Sequence, residues 1–255
     1  MTKEGRHTFI LEQLMKRDTV TVTDLSTQLE VSMVTIRKDL TELERAGKLY
    51  RSHGKAKLLN PFANNRSVNE KEKLFPEEKN AIGMSAAKLL TAEDSIAIAS
   101  GTTVHAFARN IKPVHRLTVV SASLEVSEIL ARDESVDIIQ LGGMLRHSSL
   151  SVVGQYAESV LSGFAFSKFY LGVDGIDFDY GITTTDLREA ELNQKMMQAA
   201  QKTIVVADSS KFGRRGFAKI CNLDDIDVII TDSHVPETII RKIEEHGIEL
   251  IIAEV

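Results

Sequence analysis

Residues 31–57, VSMVTIRKDLTELERAGKLYRSHGKAK, carry the pattern that decides the fold of the N-terminal part of the chain. Ser32 is a residue type that caps helices, because its hydroxyl accepts a hydrogen bond from a backbone N–H one turn further on. Behind it, apolar residues recur at spacings of three and four, which predicts a helix with one buried face. The residues predicted to form that face are Met33, Ile36, Leu40 and Leu43.

The opposite face of this predicted helix is polar and basic. At about 100° per residue, five residues point away from the apolar face: Val34, Thr35, Arg37, Lys38 and Thr41. A short helix with one buried face and an outward row of Thr, Arg and Lys suits the major groove of DNA. A charged outer face is equally typical of an ordinary solvated surface helix, so this helix alone leaves both interpretations open.

The residues on either side of this helix favour DNA binding. Residues 4–16 show helical spacing of apolar side chains, and Thr23 is the predicted cap of a second helix over residues 24–29. A tight turn then leads into the third helix, which is the helix-turn-helix layout. Gly47 is predicted to end the third helix, and residues 49–55 are typical of a small basic hairpin. Three helices followed by a basic hairpin predict a winged helix-turn-helix.

The motif S-x-x-T-I-R-K-D-L-x-x-L-E-x-x-G-x-L-x-R-x-H-G, residues 32–54, resembles the N-terminal signature of the DeoR family of bacterial sugar-operon regulators. That resemblance implies that the segment binds operator DNA. One departure follows the motif: Lys55 stands where the family has a second glycine, and it keeps the wing basic. Together with the outward row of the helix, this gives the expected DNA-binding residues Ser32, Val34, Thr35, Arg37, Lys38, Arg51, His53 and Lys55.

Length and composition bound the class of protein. A chain of 255 residues is long enough for one small and one medium domain. No stretch approaches the ~18 apolar residues that cross a membrane, and residues 1–4 begin no secretory signal. The single cysteine, Cys221, excludes an internal disulfide framework and fits a reducing compartment. We therefore expect a cytoplasmic protein.

The charge is divided unevenly along the chain. The net charge of −5 is unusual for a DNA-binding protein. Residues 1–57, however, hold 11 Lys and Arg against 8 Asp and Glu, a balance of +3, whereas residues 58–255 have a balance of −8. The basic excess lies in the predicted helix-turn-helix, and the acidic remainder limits non-specific binding to nucleic acid.

Residues 58–78 contain two prolines, several asparagines and a run of alternating charge, and we expect them to form a linker. From residue 79 to residue 255, short runs of Val and Ile alternate with helical patterns. Unbroken apolar strands are typical of a parallel sheet that is buried on both faces, and the alternation predicts a doubly wound α/β domain. The expected domains are thus 1–57, a linker at 58–78, and 79–255, in a mixed α/β fold class.

Small residues and hydroxyls follow several predicted strands of this sheet. Ligands bind beyond the carboxyl ends of parallel strands, so these residues are expected to line a site. Ser100-Gly101-Thr102-Thr103 is the clearest case, because a glycine allows close approach and a helix N-terminus attracts an anion. Each loop taken singly is also typical of an ordinary turn, and Lys211 of an ordinary surface lysine. The expected effector-binding residues are Ser100, Gly101, Thr102, Thr103, Ser121, Gly142, Gly143, Asp174, Gly175 and Lys211.

The DeoR resemblance extends over this second domain. It is carried by S-G-T-T at residues 100–103, L-G-G-M at 141–144, L-G-x-D-G-I at 171–176 and D-S-S-K-F-G at 208–213. The resemblance implies a sensor domain similar in fold to ribose-5-phosphate isomerases, with a phosphorylated sugar as effector. This chain departs from the family at Ala99 and Ala122, where polar residues are usual, and the identity of the sugar stays open.

Three functions compete. The first is a transcriptional regulator, most often a repressor, of a carbohydrate operon, with DNA affinity modulated by a sugar phosphate. The second is an isomerase-like enzyme with an appended DNA-binding domain, which residues 181–186 disfavour because they replace the isomerase's Lys-Gly-Gly-Gly loop. The third is a constitutive DNA-binding protein whose second domain only oligomerises. We expect the first, with no catalytic residues, no cofactor and no metal, and with a homodimer or larger oligomer on double-stranded operator DNA.

Overall fold

The computed structural model describes residues 1–17, 19–45, 48–52, 55–58, 67–92, 94–113 and 115–255. The chain divides into two compact units, Met1–Asn64 and Asn65–Val255. Among the described residues, no helix combines the length and the apolar character needed to cross a membrane.

The first unit is a winged helix-turn-helix. Its elements are α1 (Lys3–Arg17), β1 (Thr19–Thr21), α2 (Val22–Leu29), α3 (Met33–Arg45), β2 (Leu49–Ser52) and β3 (Lys55–Leu58). The strands form an antiparallel sheet in the order β1-β3-β2, in which β2 and β3 are the two strands of the wing. The predicted three helices and basic hairpin are therefore confirmed, with β1 added beside β3.

The core of the first unit is formed by the apolar faces of its helices. Ile36, Leu40 and Leu43 of α3 are buried, as their spacing predicts. Met33 is different, because 44% of it is exposed. Side chains tilt toward the N-terminus of a helix, so the side chain of the first residue of α3 extends past the end of the core.

The cap of α2 is also different from the prediction. Thr21 lies in an extended conformation and its hydroxyl accepts a hydrogen bond from the N–H of Asp24 at 3.0 Å. Thr23 lies inside the helix, where its backbone is already helical and cannot serve as a cap.

The structure differs from the predicted linker at residues 58–78 at both ends. Leu58 is the last residue of β3, while α4 (Val68–Glu72) and α5 (Pro76–Ala87) are helical and belong to the second unit. Ser67 and Glu70 form a capping box, and Pro76 occupies the first turn of α5. Serine and proline, which suggest a loop by composition, here begin helices.

The second unit contains a parallel sheet of seven described strands. In chain order its elements are β4 (Ser95–Ile98), α6 (Thr102–Asn110), β5 (Leu117–Ser121), α7 (Leu124–Leu130), β6 (Val136–Gln140), β7 (Met144–Arg146), β8 (Ser151–Val153), α8 (Gln155–Leu161), β9 (Phe166–Gly172), β10 (Gly175–Asp177), β11 (Gly181–Thr184), α9 (Leu187–Gln198), β12 (Ala200–Val206), β13 (Ala218–Cys221), β14 (Val228–Asp232), α10 (Glu237–Glu245) and β15 (Glu249–Ala253). The order of the parallel strands is β15-β14-β12-β9-β4-β5-β6. Apolar clusters pack on this sheet, as the unbroken Val and Ile runs predict.

Short antiparallel strands also occur, which the alternating pattern did not predict. β7 and β8 form a hairpin, and β10, β11 and β13 form a separate antiparallel sheet. β7, β8 and β10 have three residues each, too few to show a periodicity of two.

The first strand of the sheet in chain order, β4, lies inside the sheet and not at an edge. From β4 the chain adds β5 and β6 on one side, and it then returns to add β9, β12, β14 and β15 on the other side. β4 and β9 are therefore neighbours at the point where the direction of winding reverses. In open α/β sheets, ligands bind beyond the carboxyl ends of the strands at this point.

Candidate DNA interface and effector site

The outward face of α3 presents the predicted row of side chains. Val34 is 71% exposed, Arg37 and Lys38 are exposed, and Thr35 is half-buried. Ser32 caps the helix, since its Oγ accepts a hydrogen bond from the Thr35 N–H at 3.1 Å. The exposed apolar and cationic side chains on one helix face can contact base edges and phosphates respectively.

The opposite side of α3 carries a buried carboxylate that the sequence reasoning missed. Asp39 is 2% exposed and accepts hydrogen bonds from Arg6 Nε at 2.6 Å and from Arg6 Nη2 at 3.0 Å. This ion pair joins α3 to α1. The helical angle places Asp39 beside Ile36 and Leu43, and a charge on an apolar face is a signal that a partner must lie opposite.

The wing is attached to α3 by an arginine. Arg51 on β2 donates from its backbone N–H to Glu44 Oε1 and from its Nε to Glu44 Oε2, both at 2.9 Å. This pairing directs part of the Arg51 charge toward the protein rather than toward DNA. Lys55 is exposed on β3, while His53 lies outside the described residues.

A cavity lies in the second unit, at the carboxyl ends of β4 and β9. Its lining includes Ser100, Gly101, Thr102, Thr103, Asp174 and Lys211 from the predicted set, together with Val68, Lys71, Arg146, Ser148, Ser149, Gly172, Val173, Thr184 and Glu189. The structure thus brings together six of the predicted effector residues from three separate loops. They meet because β4, β9 and β12 are consecutive strands of the sheet.

The other four predicted effector residues do not line this cavity, and the described contacts give Ser121 and Gly175 structural roles. Ser121 donates its hydroxyl to the carbonyl of Ile98 at 2.8 Å and so ties β5 to β4. Gly175 lies against the backbone, because a Cβ there would stand 2.4 Å from the carbonyl oxygen of Arg214. Gly142 and Gly143 lie in the turn between β6 and β7 and are not part of the cavity lining.

The first turn of α6 forms one wall of the cavity. Gly101 precedes the helix with a φ of +122°, a conformation that side chains rarely adopt and glycine adopts readily. Thr102 and Thr103 follow as the first two helical residues. Their N–H groups belong to the positive end of the helix dipole, which favours an anion at this wall.

Lys211 supplies a cation to the same cavity. Within the described part of the chain, its ammonium has neither an ion pair nor a hydrogen bond. Burial lowers the pKa of Lys211, while Asp208 and Asp174 oppose that shift. An ammonium that lacks a direct partner beside a helix N-terminus suits an anionic ligand group.

Asp174 is held in its ionised form by the cations around it. Its Oδ1 accepts a hydrogen bond from Lys71 Nζ at 2.6 Å. Burial would raise the pKa of Asp174, but the nearby Lys71 and Lys211 together with the Thr184 hydroxyl bring it well below its usual range. The cavity therefore contains a charged acceptor beside two cations.

Three charged residues of the cavity were not in the predicted set. Arg146 on β7 donates from Nη1 to Glu189 Oε2 at 2.7 Å and from Nη2 to Thr185 Oγ1 at 3.1 Å. Glu189 also accepts a hydrogen bond from Ser100 Oγ at 2.6 Å. Lys71 comes from α4, which the sequence placed in a linker. Glu189 was visible next to the loop at residues 181–186, whereas nothing local marked Arg146 or Lys71.

The two alanines that depart from the family pattern do not face the cavity. Ala99 and Ala122 are both buried and belong to the apolar cluster on one face of the sheet. The absence of a polar group at these two positions therefore does not alter the set of residues that line the cavity.

One group of described residues has the ligand types for a metal ion. Glu72, His105 and Glu125 offer atoms that lie within 4.8 Å of one another. Arg109 already pairs with Glu72, and its Nη2 lies 3.4 Å from Glu125 Oε1, so the guanidinium balances the charge of both carboxylates. The contacts are those of an ion-pair network, and the expected absence of a metal stays a prediction.

Two known family domains match this chain. The DeoR-like helix-turn-helix domain matches residues 6–62, and the DeoR C-terminal sensor domain matches residues 75–233. This chain belongs to the DeoR family. The match of the two family domains covers both compact units, and it confirms the resemblance carried by residues 32–54 and by the strand-end loops.

Relatives of this DeoR-family chain are named as transcriptional regulators. The HTH-type transcriptional repressor GlcR of Bacillus subtilis (strain 168) is 32% identical over 100% of this chain and 98% of its own length. The lactose phosphotransferase system repressor of Streptococcus mutans serotype c is 34% identical over 91% of this chain and 92% of its own. The chain is accordingly a DNA-binding transcriptional regulator and not an enzyme.

Comparison with solved structures gives partial matches to this chain. Ribose 5-phosphate isomerase A from Neisseria gonorrhoeae matches 54% of this DeoR-family chain and 53% of its own, with a TM-score of 0.36 and 18% identity.

Proposed function

We propose that this DeoR-family regulator is a repressor of a carbohydrate operon, that it acts in the cytoplasm, and that a phosphorylated sugar changes its affinity for operator DNA. The observation that carries the effector part of this proposal is Lys211, an ammonium with no direct partner among the described residues, in the wall of the cavity. The first turn of α6 supplies backbone donors to the same space. A phosphate needs this combination of a cation and free N–H groups.

The carboxylates of the cavity suit the rest of such a ligand. Asp174 and Glu189 are acceptors, and the hydroxyl groups of a sugar are donors. Cations and N–H groups for a phosphate, with carboxylates for hydroxyls, together match a phosphorylated polyol better than a purely apolar or purely anionic ligand.

We propose that α3 reads the operator. Arg37 and Lys38 are exposed beside Val34, so a cation can reach a guanine edge or a phosphate while the valine meets a thymine methyl. The wing adds Lys55 from β3. We expect Arg51 to contribute less to DNA binding, because its side chain is already paired with Glu44.

We further propose that the regulator binds DNA as a homodimer or a larger oligomer through the second unit. One helix-turn-helix has limited affinity, and two copies that engage two half-sites bind more tightly. Apolar side chains exposed on the second unit support this, among them Tyr156 of α8, 82% exposed, and Met144 of β7. A monomer in equilibrium sedimentation at micromolar concentration would contradict this part of the proposal.

The experiment that tests the function has two steps on the full-length protein. Selection from fragmented genomic DNA yields the operator, and a thermal-shift panel then compares ribose 5-phosphate, glucose 6-phosphate, fructose 1-phosphate, glycerol 3-phosphate and inorganic phosphate. A ligand that binds only the native state raises the melting temperature by mass action. We expect at least one sugar phosphate to do so and to change operator affinity about 5- to 150-fold. Operator binding that no sugar phosphate alters would favour a constitutive DNA-binding protein.

A further inference from the structure

We propose that α4 (Val68–Glu72) is the movable wall of the effector cavity, and that the sugar phosphate displaces it by taking Lys71 from Asp174. This inference rests on the proposed function, because it names the element through which the effector regulates. It adds to that function an effector-binding residue, Lys71, and a route from the cavity to the DNA-binding unit.

The cavity in this arrangement is too small for the ligand. The space inside it that the centre of a water molecule can occupy is about 40 Å³. One water needs roughly 10–15 Å³ on this measure, so the space holds only a few waters, whereas a sugar phosphate is many times larger than one water molecule. A sugar phosphate therefore cannot enter unless part of the lining moves.

The backbone of α4 makes one described hydrogen bond to the backbone of another segment, and its Val68 side chain is buried. Its first residue, Val68, donates its N–H to the carbonyl of Ser148 at 2.6 Å. Its other described attachments are side-chain contacts: Lys71 with Asp174, Glu72 with Arg109, and the ammonium of Lys79, which donates to the carbonyls of Lys71 and Leu74. In contrast, the loops that carry Ser100, Asp174 and Lys211 continue directly from strands of the central sheet. Ion pairs between side chains exchange partners more readily than a strand leaves a sheet.

The charged side chains around Asp174 indicate which contacts a bound phosphate would replace. Lys71 and Lys211 both act on Asp174, so these two cations share one carboxylate, while Arg146 of the same cavity is paired with Glu189. A phosphate dianion binds Lys71 and Lys211 in place of that carboxylate. Asp174 is then available to accept a hydrogen bond from a sugar hydroxyl, and each charged group keeps a partner. The chemistry favours a ligand that carries both a phosphate and a hydroxyl over inorganic phosphate alone.

The position of α4 in the chain links its displacement to the DNA-binding unit. α4 is the first helix of the second unit, and only residues 59–66 lie between β3 and Ser67. A change in α4 therefore acts on the segment that leads to the DNA-binding unit. An effector regulates only if it binds two arrangements of the protein with different affinity, and the docked and displaced positions of α4 are two such arrangements.

The test measures α4 directly in the full-length protein. Amide hydrogen exchange is followed for residues 67–74 with and without the sugar phosphate that gives the largest thermal shift, and with inorganic phosphate as the comparison ligand. We expect exchange in this segment to become faster with the sugar phosphate, while the strands β4, β9 and β12 become slower or stay unchanged. Slower exchange of residues 67–74 on binding would overturn the proposed displacement.

Two variants separate the roles of α4, each with a matched control. Glu72→Gln loosens α4 outside the cavity, so it should bind the sugar phosphate about 3- to 10-fold more tightly and move operator affinity in the same direction as the effector does. Lys71→Met removes a phosphate ligand and should weaken effector binding at least ~10-fold. The controls are Glu77→Gln and Lys73→Met, which change exposed residues nearby and should stay within about twofold of wild type.

The outcomes distinguish this inference from the proposed function. If no sugar phosphate binds wild type, the proposed function fails and α4 loses its role with it. If wild type responds, but Glu72→Gln and Lys71→Met both behave like their controls, only the inference about α4 is overturned.

Discussion

The two units of this regulator relate sequence to function in different ways. In the first unit, one helix carries both the core and the candidate interface, since Leu40 is buried and Val34 is exposed on α3. In the second unit, the cavity takes side chains from α4, α6, β7, α9 and the ends of β4, β9, β11 and β12. No single described helix or strand of the second unit supplies the whole lining of this cavity.

This difference explains why the first unit can be interpreted from a short motif and the second cannot. A helix repeats every 3.6 residues, so spacing alone separates its buried face from its outward face. A cavity at a sheet edge depends on strand order, and strand order is set by contacts between residues far apart in the chain.

The largest effect we predict is a difference in stability between substitutions on the two faces of α3. Leu40→Ala removes a fully buried side chain from the first unit and should destabilise that unit by about 2–5 kcal/mol, because the cavity left behind is not refilled. Val34→Ala, on the outward face of the same helix, should change stability by less than about 0.5 kcal/mol. Scanning calorimetry of the full-length protein measures both. Equal losses would show that α3 is not divided into a core face and a free face.

The second prediction concerns acid stability of the second unit. His105 of α6 is fully buried, and burial, together with the positive charge of Arg109, lowers its pKa to about 4. The unfolded chain then binds a proton before the folded one does. Stability should be complete above about pH 6.5 and fall as the pH decreases toward 4, by about 3 kcal/mol in total.

His105→Gln is the variant that isolates this contribution. It should flatten the dependence of the unfolding free energy on pH between about 6.5 and 5, where carboxylates titrate little. Urea unfolding at a series of pH values measures the slope, so a uniform loss of stability from the substitution does not interfere. A slope that equals that of the wild type would assign the acid sensitivity to other groups.

The same contrast between local and distant information appears in what the sequence could predict. It predicted the buried Ile36, Leu40 and Leu43, the cap at Ser32, and the parallel strands, because each depends on residues within one element. It predicted that Ser100–Thr103, Asp174 and Lys211 come together, because strand ends in a parallel sheet meet at one edge, and their binding of an effector stays a prediction. It could not predict Arg146 or Lys71, because a short hairpin and a short helix bring them to the cavity from elsewhere.

Errors also followed from limits of local patterns. Met33 fits the apolar spacing but lies at the first position of α3, where the core ends. Ser121 ends β5 and Gly175 begins β10, which are positions where binding residues also occur, yet the described contacts of both are with the backbone of neighbouring segments. Residue type and spacing cannot separate a side chain that packs from one that lines a cavity, because both occur at the ends of strands.

A smaller effect is expected from the outward face of α3. Lys38→Ala should reduce the slope of log K against log salt for operator binding by about 0.9 if the lysine neutralises one phosphate. Fluorescence anisotropy at several salt concentrations gives this slope. Lys3→Ala is the comparison, since Lys3 on α1 is paired with Glu42 and should leave the slope unchanged. A slope that falls equally in both variants would indicate that the contact is not specific to α3.

The smallest effect is expected from a single hydroxyl of the cavity. Thr102→Val keeps the shape of the first residue of α6 and removes one polar group from the lining. It should weaken binding of the sugar phosphate by about 0.5–1.5 kcal/mol, the usual contribution of one hydrogen bond, and leave operator binding unchanged. Isothermal titration calorimetry measures the loss. Unchanged affinity would place the ligand away from this turn.

The central claim is that an anion bound in the cavity of the second unit controls DNA binding by the first. The most direct measurement is an operator titration by fluorescence anisotropy, with and without the effector, for wild type, Lys211→Met and the control Lys202→Met. Lys202 is an exposed lysine on β12, outside the cavity lining. We predict that wild type and Lys202→Met change operator affinity about 5- to 150-fold with the effector, and that Lys211→Met binds the operator equally well but does not respond. A full response in Lys211→Met would contradict the claim, because the effector would then act without the cation of the cavity.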